Sequence, residues 1–201
     1  MKTTKNILSI LVAASVVFGA AGCKKKGKDF SYKTIVKVVE EYDFEAYEDV
    51  EEYTESHPEG TDGQPKYLWC SGDDAQDAYD AVINRLNQFP DYDVKELFHT
   101  VGISGKEAYT IYMLTLESDK KAEEMYKKMK KKLKVEKVEE STKEKSGYNY
   151  ILIENKSAIG GLYQSRDKII YVYGTIDSDG QEIISEICSK LGIIAPDDAQ
   201  D

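Results

Sequence analysis

One pattern occurs twice in this chain, 47 residues apart. Ser71, Ala75, Tyr79, Val82 and Leu86 recur as Ser118, Ala122, Tyr126, Met129 and Leu133. The small and apolar members fall three or four residues apart, the spacing of a single helix face. Each copy follows an apolar run, Tyr67 to Cys70 in the first and Ala108 to Leu116 in the second. Each opens on a serine, a residue suited to accept a hydrogen bond at a helix start, and Ser71 with Asp74 has the form of a capping box. Val94 to Ile103 and Ala108 to Leu116 read as a hairpin around Ser104-Gly105-Lys106, and Tyr148 to Ile153 reads as a further strand. From 66 to 154 the order is therefore β-α-β-β-α-β, that of the ferredoxin-like plait. The expected fold is α+β, a two-layer sandwich whose antiparallel sheet has this βαββαβ core.

The flanks add to that core. Ile35, Val38, Val39 and Tyr42 predict a helix over Ser31 to Tyr42. Leu162 to Gln164 and Ile169 to Ile176 read as a C-terminal hairpin around Ser165-Arg166-Asp167-Lys168. A last helix opens at Ser178-x-x-Gln181, turns Ile183, Ile184, Ile187, Cys188 and Leu191 inward, and stops at Gly192. The stretch 40–62 holds eleven acids and no Lys or Arg, and reads as a loop. Residues 31–195 are expected to form a single α+β domain, followed by a polar tail, 196–201. A hydrophobic content of 41% supports a core and excludes wholesale disorder, while a net charge of -10 excludes nucleic acid as a partner.

The N-terminus has a different character. Lys2 and Lys5 precede an uncharged apolar run from Ile7 to Ala21, too short to span a bilayer as a helix, and small residues then lead to Cys23. This is the layout of a secretory signal. Ala20-Ala21-Gly22-Cys23 resembles the lipobox of bacterial lipoproteins, departing from its commonest form in having Ala20 where Leu is usual. The resemblance implies cleavage before Cys23, a diacylglyceryl group on its thiol, and acylation (palmitate or a similar chain) of the new amino terminus. Residues 1–22 are then a signal peptide and 23–30 a lipidated, Lys-rich tether. Lys24-Lys25-Lys26-Gly27-Lys28 would lie against the head groups, either merely solvated or in contact with anionic lipid. The expected location is the outer face of the cytoplasmic membrane. With Cys23 committed to lipid, Cys70 and Cys188 read as buried single thiols, one disulfide between them being the alternative.

Motifs that would carry catalysis fail on inspection. His57 and His99 are too few and too scattered for a metal site. Gly102-Ile103-Ser104-Gly105 lacks the spacing of a nucleophile elbow, and Thr100 stands where a phosphate-binding loop ending at Gly105-Lys106 needs glycine. Ser118/Lys121 and Ser165/Lys168 match Ser-x-x-Lys, but a helix cap and a turn account for them. Asp177-Ser178-Asp179-Gly180 begins like a calcium loop, yet its twelfth position is Cys188. The expectation is no enzyme, no cofactor and no metal, with 40–62 left open as a loose cation site. The run 120–137, nine Lys and three Glu, reads as a solvated helix face.

The fifteen tyrosines supply the candidate surface. Tyr148 and Tyr150 alternate with Ile151 and Ile153, and Tyr171 and Tyr173 alternate with Ile170 and Val172. If the Ile and Val side packs on helices, Tyr148, Tyr150, Tyr171 and Tyr173 form a band on the other side, suited to binding. Tyr109 to Leu116 running into Glu117-Ser118-Asp119-Lys120-Lys121-Ala122, with Tyr148-Asn149-Tyr150 and Ile169-Ile170-Tyr171-Val172-Tyr173, resembles a group of small lipoproteins of Gram-positive, clostridia-like bacteria. That resemblance covers about half the chain and implies an anchored extracytoplasmic domain with no active-site residues to carry over. The expected function is a membrane-anchored, non-enzymatic interaction domain whose partners are membrane lipid through Cys23 and a cell-envelope protein or cell-wall component. A small-ligand or cation receptor working with a membrane partner is the alternative, and a cell-envelope hydrolase ranks third.

Overall fold

The computed structural model describes residues 27–55, 65–84, 92–104, 107–133 and 136–200. Residues 1–26, which hold the expected signal peptide, Cys23 and the first part of the expected tether, lie outside the described residues, as does Leu86 of the first repeat copy. The chain is α+β, with helices packed about one eight-stranded mixed sheet. In chain order the elements are α1 (Tyr32–Glu41), β1 (Glu45–Ala46), α2 (Val50–Glu55), β2 (Lys66–Ser71) and α3 (Asp73–Ala78), which continues as a π-helical turn over Tyr79–Asn84. They continue with β3 (Val94–Ser104), β4 (Glu107–Leu116), α4 (Asp119–Lys132), β5 (Glu136–Ser141), α5 (Lys143–Ser146) and β6 (Asn149–Glu154). The last are β7 (Ala158–Ser165), β8 (Lys168–Thr175), α6 (Asp179–Leu191) and a short 3₁₀ turn, Asp197–Gln200.

The strand order is β1-β2-β3-β4-β8-β7-β6-β5, with all pairs antiparallel except β1 with β2. This is not the plait expected from the element order. β2 and β3 are antiparallel neighbours, and the C-terminal hairpin does not add to an edge. Instead β8 pairs with β4 from Tyr109↔Gly174 to Thr115↔Lys168, which places two strands between β4 and β6. The reason lies in β4 and β8 themselves. Ile111 to Leu116 are buried without interruption, and on β8 the adjacent Ile169 and Ile170, which point to opposite sides, are both buried, as is Val172. Strands apolar on both sides belong at the centre of a sheet covered on both faces.

Both faces are covered. On one, α1 and α6 pack over Phe98, Ile111, Met113, Ile170 and Val172. On the other, α2, α3 and α4 cover Leu97, Leu114, Leu116, Ile151 and Leu162. The arrangement is thus three-layered where two layers were expected. The repeated stripe does fulfil its packing role in both copies: Ala75, Tyr79 and Val82, and Ala122, Tyr126 and Met129, all lie buried in the same core. The caps differ, however. Ser118 Oγ accepts from Lys121 N at the start of α4, whereas the N-cap of α3 is Gly72 and Ser71 is the last residue of β2. Gly72 takes a φ of +67°, a left-handed conformation that glycine adopts without Cβ strain. The acidic stretch read as a loop contains α2, and β5 begins inside the 120–137 run read as a helix face, with α5 following where no element was expected.

Candidate functional site

The four tyrosines do not share a face. Register decides this: Tyr150 pairs with Tyr163, which pairs with Ile170, while Ile151 pairs with Leu162, which pairs with Tyr171. Tyr148 and Tyr150 therefore point toward α1 and α6, and Tyr171 and Tyr173 toward α3 and α4. Tyr148 and Tyr150 are each 6% exposed. Tyr148 Oη accepts from Ile194 N at 3.0 Å, and its ring meets Phe30 edge-on at 6.2 Å. Tyr150 Oη donates to the Glu139 carboxylate, and burial followed by that carboxylate pushes the phenol up to about 12. Across the sheet, Tyr171 stacks on Tyr112 at 5.1 Å and lies 6.4 Å from Tyr173, whose hydroxyl accepts from Asn155 Nδ2. These contacts engage each tyrosine inside the fold, within the sheet or beside the helices, and the open tyrosine band is not formed.

Tyr171 belongs to a row that sequence reading missed. Leu68, His99, Tyr112, Tyr171, Leu162 and Ile151 sit side by side across six strands. His99 is 3% exposed, and its Nδ1 lies in hydrogen-bond contact with Tyr53 Oη of α2 at 2.6 Å. Burial lowers its pKa from 6.5 to about 4, so the ring is neutral at physiological pH. The signal for this pair was weak, because Tyr53 comes from the acidic stretch that reads as a loop.

Cys70 and Cys188 are free thiols on opposite sides of the sheet, which excludes a disulfide between them in this fold. Burial pushes both up to about 12, so neither is a thiolate near neutral pH. In the acidic stretch, Glu52 accepts from Lys66 at 2.6 Å and Glu40 from Tyr67 Oη at 2.9 Å. Among the described residues no three His, Cys, Asp or Glu side chains are grouped to hold a metal ion. The lysine-rich helix is tied locally, through Lys121–Glu117, Lys127–Glu123 and a Lys130–Glu140 contact to β5.

Two surface hollows flank α6. An open one of about 830 Å³ is rimmed by Asp177, Glu182, Glu186, Asp197 and Asp198, with the half-exposed Tyr42 at its side. A smaller one of about 300 Å³ lies between α1 and α6 and is lined by Lys33, Thr34, Lys37, Val38, Glu41 and Lys190. The second adjoins the place where the chain enters the fold. There Lys28 N donates to Gly147 O at 3.2 Å, Lys28 Nζ donates to Gly192 O, and Phe30 is 1% exposed. Lys168 Nζ donates to Phe30 O at 2.6 Å, and Asp29 bridges Lys168 and Arg166 at 3.2 and 3.7 Å. Comparison of the chain with protein-family models, with curated proteins and with solved structures finds no match.

Proposed function

We propose that this chain is an extracytoplasmic lipoprotein, held by acyl groups on Cys23 and presenting its α+β domain as a non-enzymatic interaction module at the outer face of the cytoplasmic membrane. The observation that carries the reading is the nearness of Cys23 to the folded domain. Lys28, Asp29 and Phe30 are already fixed to β8, to the end of α6 and to Gly147, five residues after that cysteine. A domain seated so close to its anchor has one end turned to the bilayer and the other presented outward. Two acyl chains at about 0.8 kcal/mol per buried CH₂ hold such a protein stably. The high thiol pKa values of Cys70 and Cys188 and the neutral, hydrogen-bonded His99 favour a module without nucleophilic or acid–base chemistry.

The test is expression of the full chain and its Cys23→Ser variant in a bacterial host fed radiolabelled palmitate, followed by detergent phase partitioning. The wild type is expected to be labelled and to enter the detergent phase, and the variant to do neither. An unlabelled wild type that stays in the aqueous phase would overturn the reading. The acidic hollow favours a second reading, a receptor for a small cationic ligand. At a hundred times its dissociation constant such a ligand adds about 2.7 kcal/mol, which raises the melting temperature by roughly 5–10 °C.

A further inference from the structure

We propose that the end of the domain at which the tether enters seats on anionic phospholipid head groups of the leaflet that carries the anchor, with Lys33, Lys37 and Lys190 as the contact cations. The proposal rests on the lipoprotein reading above and adds an orientation and a lipid chemistry to it. Tyr42, just after α1, lies by Asp179 and Glu182 at the start of α6, while Lys28, just before α1, reaches Gly192 after α6, so the two helices run antiparallel and the start of α1 meets the finish of α6. The hollow between them is lined by three lysines, and Lys28, Arg166 and Lys168 surround the chain beside it. From Glu186, midway along α6, through Glu182 to Asp179 at its start, carboxylates face Tyr42, and the acidic hollow opens along this stretch. The two helices therefore carry positive charge where the tether enters and negative charge away from it.

The carboxylates near the cationic end do not cancel it. Asp29 is shared by Arg166 and Lys168, Glu41 pairs with Lys37 at 3.7 Å, and Glu186 pairs with Lys190 at 3.2 Å. Asp167 of the β7–β8 turn and Glu96, which accepts from Trp69 Nε1, also lie beside Tyr32, and Lys33 has no carboxylate partner among the described residues. A chain of net charge -10 is repelled by an anionic surface in most orientations. It is attracted in the one that turns this end down. Five residue steps separate Cys23 from Lys28, at most roughly 18 Å of extended chain, so the anchor already holds this end near the head groups. Held at that range, contacts too weak to bind a free protein are enough to fix how a tethered one sits.

The experiment uses the full lipidated chain purified from membranes and added to vesicles of phosphatidylcholine alone, or with about one third phosphatidylglycerol. A pulse of acetic anhydride read by mass spectrometry gives the acetylation rate of each lysine. On the anionic vesicles Lys33, Lys37 and Lys190 are expected to react at least about threefold more slowly than on neutral ones, and Lys127 and Lys131 of α4 to react equally on both. In about 1 M salt the difference should vanish. Equal rates at the three lysines, from protein that floats with both kinds of vesicle, overturn the docking surface and leave the anchor standing. Protein that floats with neither kind overturns the anchor, and the docking surface with it. The double variant Lys33→Glu, Lys37→Glu changes exposed side chains only and should abolish the difference at Lys190; a difference that persists assigns the protection to some other surface.

Discussion

His99 should make this fold weaker as the pH falls below neutrality. Its ring sits edge-on to Tyr53 at 5.8 Å, with Tyr112 on its other side, and burial alone takes its pKa from 6.5 to about 4. Between those two values the unfolded chain binds a proton that the native protein refuses. The contribution is therefore complete above the unfolded pKa and is lost as the pH falls toward the folded one. A separation of about 2.5 pKa units amounts to roughly 3 kcal/mol, of which about 2 kcal/mol is lost between pH 7 and 4.5. Carboxylates titrate in the same range, so the assay compares slopes. Urea unfolding of the wild type and of His99→Gln is measured at both pH values. The variant is expected to be less stable at pH 7 and to lose about 2 kcal/mol less on acidification. Should the variant not fold, the wild-type imidazole titration followed by NMR decides alone. Parallel slopes in the two proteins, or a native His99 that titrates near 6.5, would refute the reasoning.

Gly160 on β7 has no room for a side chain. A Cβ there would lie 2.5 Å from the Val172 carbonyl oxygen and 2.6 Å from the Tyr173 ring. Gly160→Ala should cost about 2–4 kcal/mol in urea unfolding, because the backbone of a central strand cannot step aside. Gly147→Ala, with nothing within 4 Å and a φ of +88°, carries only the backbone strain, about 1 kcal/mol. The two serines that look alike in sequence should also separate. Ser178 Oγ donates to Thr175 O at 2.6 Å and accepts from Gln181 N at 3.2 Å, so Ser178→Ala should lower stability by about 1 kcal/mol. Ser71→Ala should change it by less than about 0.5 kcal/mol, since Ser71 is exposed and caps nothing. Equal effects at the two positions, read from urea midpoints, would count against the cap assignment.

The helices were legible because each has an apolar stripe and an end signal. Helix α1 spans Tyr32–Glu41 where Ser31 to Tyr42 was read, α4 and α6 begin after Ser118 and Ser178, and α6 ends at Gly192 with φ +63°. The strand order was not legible from the order of elements, although a clue lay in β4. Ile111-Tyr112-Met113-Leu114-Thr115-Leu116 has no polar alternation, which marks a strand covered on both faces and so calls for a third layer. Strand β5, Glu-Lys-Val-Glu-Glu-Ser, was hidden for the opposite reason: it is an edge strand, and charge on an edge discourages pairing with other chains.

The tyrosines show what register adds to composition. A one-residue difference in phase between β6 and β8 sends Tyr150 and Tyr171 to opposite faces, and alternation within each strand is the same either way. Once both faces are covered, a long side chain with a polar tip has a specific use, since it crosses an apolar layer and ends where a backbone group or a carboxylate needs a partner. Tyr148 and Tyr163 meet the backbone N–H and carbonyl of Ile194, Tyr67 reaches Glu40 of α1, and Tyr53 reaches His99. Tyrosine in this chain fastens helix to sheet, and abundance that suggested a binding surface is spent on joining three layers. The search for contact with other molecules therefore moves to the flanks of α1 and α6, where the charged side chains that the layers do not need are gathered by sign.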